Sequence, residues 1–281
     1  MKTVRYFCNP GKTEIRGMSL FLKQINSNVV WQRDYPARDA RKPRKPRPKR
    51  SDEIEVNNEP QRQSISGTTG KRLREDMLDI LENFPHSFSK DTCDAILLID
   101  DADCEFETVE TWEKKTTELS KKIEKRLGRA VPFYYLLESP EVEAWFLADW
   151  EHSFGSEPVF RKLPGFLHQI RKHLKEDLLQ IPDWCEVEWF GGPRSGDSCS
   201  QKISSIIQHA FELHPDGGLR ELVEKHQDLI LTLASMGSPR DRLAYYKDSH
   251  GGAMLGRIKP EVVARSCRYF FEPVYRQLSG L

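Results

Sequence analysis

The sequence predicts an α/β fold: a mainly parallel sheet flanked by helices, with a C-terminal helical part. Through the first half of the chain, short apolar segments alternate with helical ones, an order that implies crossover connections and parallel strands. The segment Ala95–Ile99 is continuously apolar and rich in branched residues, as in a strand buried on both faces. From Glu141 onward the pattern is mainly helical, which indicates helices packed on the sheet.

Four short segments predict the strands. Residues 3–8 alternate between polar and apolar side chains, and a β-branched and aromatic run at 29–31 begins a second strand. Residues 95–99 form the third strand and the apolar run 131–137 forms the fourth. Asn9–Gly11 ends the first strand, because proline and glycine interrupt regular structure.

Helices are predicted between these strands. Apolar residues at intervals of three and four predict helices at 15–25 and 71–83, and a long charged segment predicts a helix at 108–127. Later helices are predicted at 141–149, 161–179, 201–213 and 219–233.

The length of 281 residues allows one large domain or two modest ones. We expect an α/β domain over 1–154, with a helical part over 155–281 packed on it. Proline and charge prevent a packed element between Arg38 and Arg50, so we expect a mobile basic insertion near 36–66.

Composition excludes several classes of protein. The 43 basic and 43 acidic residues give zero net charge, which argues against coating nucleic acid by bulk electrostatics but allows a local basic face. No apolar run approaches the roughly 20 residues of a membrane span, and the first residues lack a signal-peptide pattern. We therefore expect a cytoplasmic protein without membrane contact.

The six cysteines form no C-x-x-C pair, so neither a zinc site nor a disulfide framework is expected.

An acidic step follows the third predicted strand directly. Asp100, Asp101 and Asp103 stand at its carboxyl end, where open α/β sheets bind ligands. Carboxylates this close repel one another unless a cation neutralises them, and hard oxygen ligands suit Mg²⁺ or Mn²⁺. The alternative is a solvated acidic turn, since aspartate is common in turns.

A second acidic group begins at Glu138, after the fourth strand. Glu141 lies in the first turn of the following helix, where the helix dipole favours a carboxylate. Glu143 is close to Trp145 and Phe146 in apolar company, and a carboxylate there needs a partner such as a metal or an arginine. The alternative is a charged helix start with an aromatic core face.

Two further segments carry weaker signals. Pro10–Thr13 resembles the end of a phosphate-binding loop, but Tyr6 stands where that motif requires glycine.

Lys247 and His250 lie beside a glycine pair that we expect to be flexible. The lysine could stabilise developing negative charge and the histidine could carry protons. The alternative is an ordinary polar loop.

The combined order of these motifs resembles an uncharacterised-domain family of bacterial TOPRIM-like proteins. Its members look like companions of ABC-type ATPases in phage-defence loci, and they are similar to the nuclease part of overcoming-lysogenization-defect enzymes. The resemblance spans most of the chain. The segments that carry it are Gly11–Glu14, Leu20–Leu22, Gly67–Lys71, Asp100–Asp103, Glu141–Asp149, Tyr246–Lys247, Arg265–Cys267 and Phe270–Phe271.

The resemblance implies a TOPRIM fold, in which a glutamate after the first strand and an Asp-x-Asp after the third jointly bind a divalent metal, Mg²⁺ or Mn²⁺. Asp101 and Asp103 are the first candidate ligands, and Asp100 is the alternative.

The sequence departs from the family pattern after the first strand. The leading glutamate is missing, and Asn9 or Pro10 stands near its place. Asparagine can offer a carbonyl oxygen to a metal, but it offers no charge and no general base. Either Glu14 takes over, or Glu143 supplies the carboxylate, or the site is catalytically silent.

The function that the resemblance implies is metal-dependent hydrolysis of DNA or RNA by the effector of an anti-phage defence system. Glu14, Glu143 and Lys247 are the candidate catalytic residues. The candidate nucleic-acid contacts are Arg41, Lys42, Arg44, Lys45 and Lys71. The alternative function is a catalytically degenerate binding or regulatory subunit docked to an ABC-type ATPase. Topoisomerase- or primase-like chemistry ranks last, because neither a tyrosine-nucleophile domain nor a zinc module is recognisable.

Overall fold

The computed structural model describes residues 1–35, 69–102, 105–106, 108–139, 141–162 and 244–281, together with positions 165, 167, 168, 170, 204, 207, 208, 227 and 228. The predicted basic insertion at 36–66 lies outside the described residues. The predicted helices 161–179, 201–213 and 219–233 lie largely outside them.

The strands of the described residues form one parallel sheet. They are β1 (Lys2–Cys8), β2 (Val29–Tyr35), β3 (Ala95–Asp101) and β4 (Phe133–Glu138). Their order across the sheet is β2-β1-β3-β4, and each neighbouring pair is parallel. The predicted α/β class with a parallel sheet is therefore confirmed.

Helices cover both faces of this sheet. The first four are α1 (Lys12–Ile25), α2 (Gly70–Asn83), α3 (Val109–Leu127) and α4 (Glu143–Ala148). Near the C-terminus, a π-helical turn (Lys247–Gly251) leads into α5 (Gly252–Leu255), α6 (Pro260–Ser266) and α7 (Phe271–Ser279). Helix α1 packs with the π-helical turn and α5 to α7, whereas α2 packs with α3. None of the described helices combines the length and apolarity that crossing a membrane requires.

Strand β3 is the centre of the core. Its residues from Ala95 to Asp100 are all buried, as the continuous apolar run predicts for a strand covered on both faces. The strand continues two residues beyond the predicted end at Ile99, because Asp100 and Asp101 still pair with β4. The acidic step thus belongs to the strand, and its side chains alternate between the two faces of the sheet.

An aromatic cluster joins α1 to the C-terminal helices. The ring centroid of Phe21 lies 5.1 Å from that of Trp145 in α4 and 5.9 Å from that of Phe271 in α7. The ring centroids of Trp145 and Phe271 are 4.9 Å apart. All three side chains are fully buried. Each large apolar side chain buried this way contributes about 1.5–3 kcal/mol to stability. The cluster therefore fixes α1 against the elements that complete the site described below.

Glycines allow α1 to approach α5 at backbone distance. A Cβ atom placed on Gly17 would lie 2.6 Å from the carbonyl oxygen of Gly252, and one on Gly252 would lie 2.6 Å from the Cβ of Arg16. A Cβ atom on Gly251 would clash with the Thr13 hydroxyl. The glycine pair expected to be flexible is thus helical, and its small size serves close packing.

We expect Gly17→Ala to destabilise the protein, although alanine is the better helix former by up to about 1 kcal/mol. The added methyl group would overlap backbone that cannot rotate away, and overpacking of this kind typically costs about 1–3 kcal/mol. Gly280→Ala is the matched control, because its Cβ atom would meet nothing closer than 3.6 Å. Denaturant unfolding of both variants measures the difference, and equal unfolding free energies would contradict the proposed close contact.

Candidate functional site at the carboxyl edge of the sheet

The candidate site lies where the strand order of the sheet reverses. From β1 the chain adds β2 on one side and returns to add β3 on the other, which creates a crevice at the carboxyl ends of β1 and β3. Open α/β sheets bind their ligands at such a point. Asn9 follows β1, Asp101 ends β3 and Glu138 ends β4, so all three residues lie at this edge.

Asp101 and Glu138 are neighbours across two strands. They are paired in the register of β3 and β4, so their side chains share one face of the sheet. Glu138 is 0% exposed. Burial, the charges of Glu14 and Asp101, and a hydrogen-bonding contact with Asp101 together raise the pKa of Glu138 well above its ordinary value.

Glu14 reaches the same place from the first turn of α1. The helix begins at Lys12, three residues earlier than predicted, and Glu14 is only 1% exposed. Neither of its carboxylate oxygens has a hydrogen-bond partner among the described residues. Burial raises the pKa of Glu14 to about 7, against the opposing influence of Lys247. A Cβ atom on Gly11 would clash with this carboxylate, so a larger residue there would displace the Glu14 side chain.

Asn9 is a hydrogen-bond donor within the site. Its Nδ2 donates to Glu138 Oε2 at 3.4 Å, while its Oδ1 accepts from the backbone N–H of Gly11 at 2.8 Å. The carbonyl oxygen that could ligate a metal is thus engaged in the turn before α1. In this arrangement Asn9 contributes a neutral donor beside two carboxyl groups.

Lys247 enters the site from the π-helical turn and pairs with carboxylates of the β4–α4 segment. Its Nζ donates to Glu143 Oε2 at 3.1 Å and lies 3.7 Å from Glu141 Oε2. Tyr245 donates its hydroxyl hydrogen to the other oxygen of Glu143 at 2.8 Å. Burial alone would lower the pKa of Lys247, but Glu143, Asp101 and the other carboxylates raise it above its ordinary value. The lysine therefore stays charged.

The π-helical turn is held on the start of α1 by three polar contacts. Lys12 forms an ion pair with Asp248, and Arg16 Nη1 donates to the Asp248 carbonyl oxygen at 2.9 Å. The hydroxyl of Thr13 donates to the Lys247 carbonyl oxygen at 3.4 Å. Glu14 and Lys247 are thus carried by two elements that are bonded to each other.

We refer to the side chains that meet here as the acidic cluster, which consists of Glu14, Asp101, Glu138, Glu141 and Glu143. The structure brings the predicted residues Glu14, Asp101, Glu143 and Lys247 together in this cluster.

Asp100 faces the other side of the sheet. Its carboxylate accepts from the backbone N–H of Gly70 at 2.9 Å and from the hydroxyl of Tyr135 at 3.2 Å, and it lies 3.6 Å from Arg74. Burial raises its pKa to about 6, although these partners oppose the rise. Asp100 therefore anchors the beginning of α2 and does not join the acidic cluster.

Lys71 is the one remaining predicted site residue that the structure describes. Asp103 lies outside the described residues, as do the predicted nucleic-acid contacts Arg41, Lys42, Arg44 and Lys45. Lys71 is exposed at the start of α2 and lies 3.8 Å from Glu75.

Glu138 and Tyr245 are site residues that sequence reasoning did not select. Glu138 comes directly after an apolar run, just as Asp100 and Asp101 do, and this repeated pattern is the signal that could have identified it. Tyr245 carries no such signal, because only the fold brings its hydroxyl to Glu143, 102 residues away in the chain.

Comparison of the chain with protein-family models, curated proteins and solved structures finds no match. The chemistry of the site therefore has to be inferred from its own residues.

We expect Glu14→Gln to change how stability depends on pH in metal-free protein. With a folded pKa near 7 and an ordinary value of 4.5, Glu14 favours folding most below pH 4.5, and this contribution is lost as the pH rises to 7. The difference corresponds to about 3 kcal/mol as an upper figure. The free energy of unfolding of the variant should therefore change less with pH over this range, and the variant should be more stable than the wild type at pH 8.

Denaturant unfolding in a chelator at pH 4.5 and pH 8 measures this effect. Glu113→Gln, at an exposed position of α3, is the matched control and should follow the wild type at both pH values. Parallel profiles of wild type and Glu14→Gln would show that Glu14 has no raised pKa.

Proposed function

We propose that this protein is a metal-dependent phosphodiester hydrolase that cleaves DNA or RNA. The observation that supports it best is the set of unsatisfied oxygens at the switch point of the sheet. Both carboxylate oxygens of Glu14 and Oε1 of Glu138 are buried without a hydrogen-bond partner among the described residues. Leaving buried polar atoms unpaired is costly, so such atoms in a crevice indicate a ligand that carries positive charge.

The chemistry of the donors fits a hard divalent cation, Mg²⁺ or Mn²⁺. Glu14, Asp101 and Glu138 would hold it. In the part of the chain that the structure describes, no group of three or more His, Cys, Asp or Glu side chains has a geometry that could hold a metal ion, so binding would require these carboxylates to move closer together. The raised pKa values of Glu14 and Glu138 favour protonation of these two groups in the absence of an ion, and metal binding would release such protons.

Lys247 supports the assignment to phosphoryl chemistry. A bound divalent cation would polarise the phosphate and lower the pKa of the attacking water. As water adds to phosphorus and the ester P–O bond breaks, negative charge grows on the phosphate oxygens. A partly exposed ammonium at the rim of the cluster, held by Glu143, is suited to stabilise that charge.

Nucleic acid is the substrate class that we propose. The basic residues between Arg38 and Arg50 would bind the phosphate backbone. Lys71, which is exposed at the start of α2, would bind it as well. A TOPRIM-like nuclease acting in the cytoplasm as the effector of an anti-phage system, with an ABC-type ATPase as its partner, is the biological setting that the sequence resemblance favours.

We expect Asp101→Asn to reduce cleavage of nucleic acid by about 100-fold or more, since even outer-shell partners of a metal are worth 10–100-fold. The assay incubates the protein with DNA, RNA and tRNA in Mg²⁺ or Mn²⁺ and follows product formation. Asp91→Asn is the matched control, because Asp91 is exposed in the turn before the same strand. Equal cleavage by the wild type and Asp101→Asn would contradict the proposal.

A second candidate function is a catalytically silent subunit that binds and regulates an ABC-type ATPase. Asn9 favours it, because its amide oxygen is engaged by Gly11 and brings no charge to the place of the expected glutamate. Calorimetric titration with Mn²⁺ separates the two candidates. Binding that disappears in Asp101→Asn argues against a silent site, whereas absence of binding together with co-purification of an ATPase favours the regulatory role.

A further inference from the structure

The acidic cluster consists of two parts that differ in how their oxygens are bonded. In the β4–α4 part, all four carboxylate oxygens have partners. Glu143 accepts from Tyr245 at 2.8 Å and from Lys247 at 3.1 Å. Glu141 accepts from the backbone N–H of Ser204 at 2.7 Å and from its hydroxyl at 3.0 Å, and Lys247 lies 3.7 Å away.

The other part, formed at β1–α1, β3 and the end of β4, is under-bonded. Both oxygens of Glu14 and one oxygen of Glu138 lack a partner among the described residues, although these side chains are 1% and 0% exposed. The second oxygen of Glu138 accepts from Asn9 at 3.4 Å, and the Glu138 carboxyl group also has a hydrogen-bonding contact with Asp101. Asp101 is paired in register with Glu138 and belongs to this part.

The two parts therefore differ in their need for added charge. The Glu141 and Glu143 carboxylates already surround the ammonium of Lys247, whose side chain is 30% exposed. A divalent cation binding between them would have to displace the Lys247 ammonium. The Glu14 carboxylate and Oε1 of Glu138 have no hydrogen-bond partner among the described residues, and a cation there would satisfy these oxygens.

We propose that the site binds a single divalent cation, held by Glu14, Asp101 and Glu138, and that the Lys247 ammonium takes the position of a second one. This inference rests on the proposed function and assigns its metal stoichiometry. Glu141, Glu143 and Tyr245 are then positioning residues, which act on the substrate through Lys247. Sites with two metal ions place the ions about 3.5–4 Å apart, one for each side of the scissile bond. Here the Lys247 ammonium would take the place of the ion on one side of the scissile bond.

The test counts Mn²⁺ ions bound to the full-length protein by calorimetry and equilibrium dialysis, with electron paramagnetic resonance of the bound ion as a second readout. The wild type should bind one equivalent and give the spectrum of an isolated Mn²⁺. Lys247→Met should bind two equivalents with magnetic coupling between them, because Glu141 and Glu143 lose their ammonium. Lys247→Arg keeps the positive charge and should bind one.

Lys259→Met is the matched control. The Lys259 ammonium donates to Gln24 at 3.0 Å, so its removal should leave one equivalent bound. Two coupled ions in the wild type would overturn the single-ion assignment while supporting the proposed hydrolase. A single equivalent in folded Lys247→Met would also overturn it.

The wild-type measurement is decisive even if Lys247→Met does not fold. One isolated ion supports the inference, and two coupled ions refute it. Absence of Mn²⁺ binding in the wild type would instead refute the metal-dependent function on which the inference rests, so the two failures are distinguishable.

Discussion

Repulsion among buried carboxylates is the constraint on which this structure depends. Glu14, Glu138 and Glu143 are almost completely shielded from water at one edge of the sheet, and one ammonium from Lys247 cannot balance them together with Asp101 and Glu141. Burial raises the pKa of each of the three, which favours protonation and so reduces the repulsion in the absence of another cation. A protein that maintains such an arrangement gives up stability there, as is common where function requires it.

The apolar framework offsets this loss and fixes the geometry. Helix α1 carries Glu14 on one turn and Phe21 two turns later, so the aromatic packing of Phe21 on Trp145 and Phe271 also positions the carboxylate. Trp145 belongs to the short helix that begins with Glu143. The close backbone contact at Gly17 then sets the distance to the segment that carries Lys247. The helices that form the aromatic core therefore also fix the positions of the charged side chains in the acidic cluster.

Local sequence patterns predicted the four strands and helices α1 to α4, whereas α5 to α7 were expected only as part of a helical C-terminal region. The site was only partly predictable. Strand alternation assigns Asp100 and Asp101 to opposite faces, but which residue faces the crevice depends on the pairing of β3 with β4. The partner of Glu143 was expected to be a metal or an arginine, and it is a lysine 104 residues further along. Contacts at such separation arise from packing, and no local pattern encodes them.

The two adjacent aspartates also show why carboxylates at the end of a strand are ambiguous evidence for a metal site. Asp100 is satisfied by the backbone of Gly70, the hydroxyl of Tyr135 and the charge of Arg74, so its substitution acts on the start of α2. Asp101 faces Glu138 and Lys247 across the sheet edge, so its substitution acts on the acidic cluster. Loss of activity on changing both residues together would mix a folding defect with a chemical one. Substitution of Asp101 alone isolates the chemistry, because its neighbour on the other face keeps the strand and α2 in place.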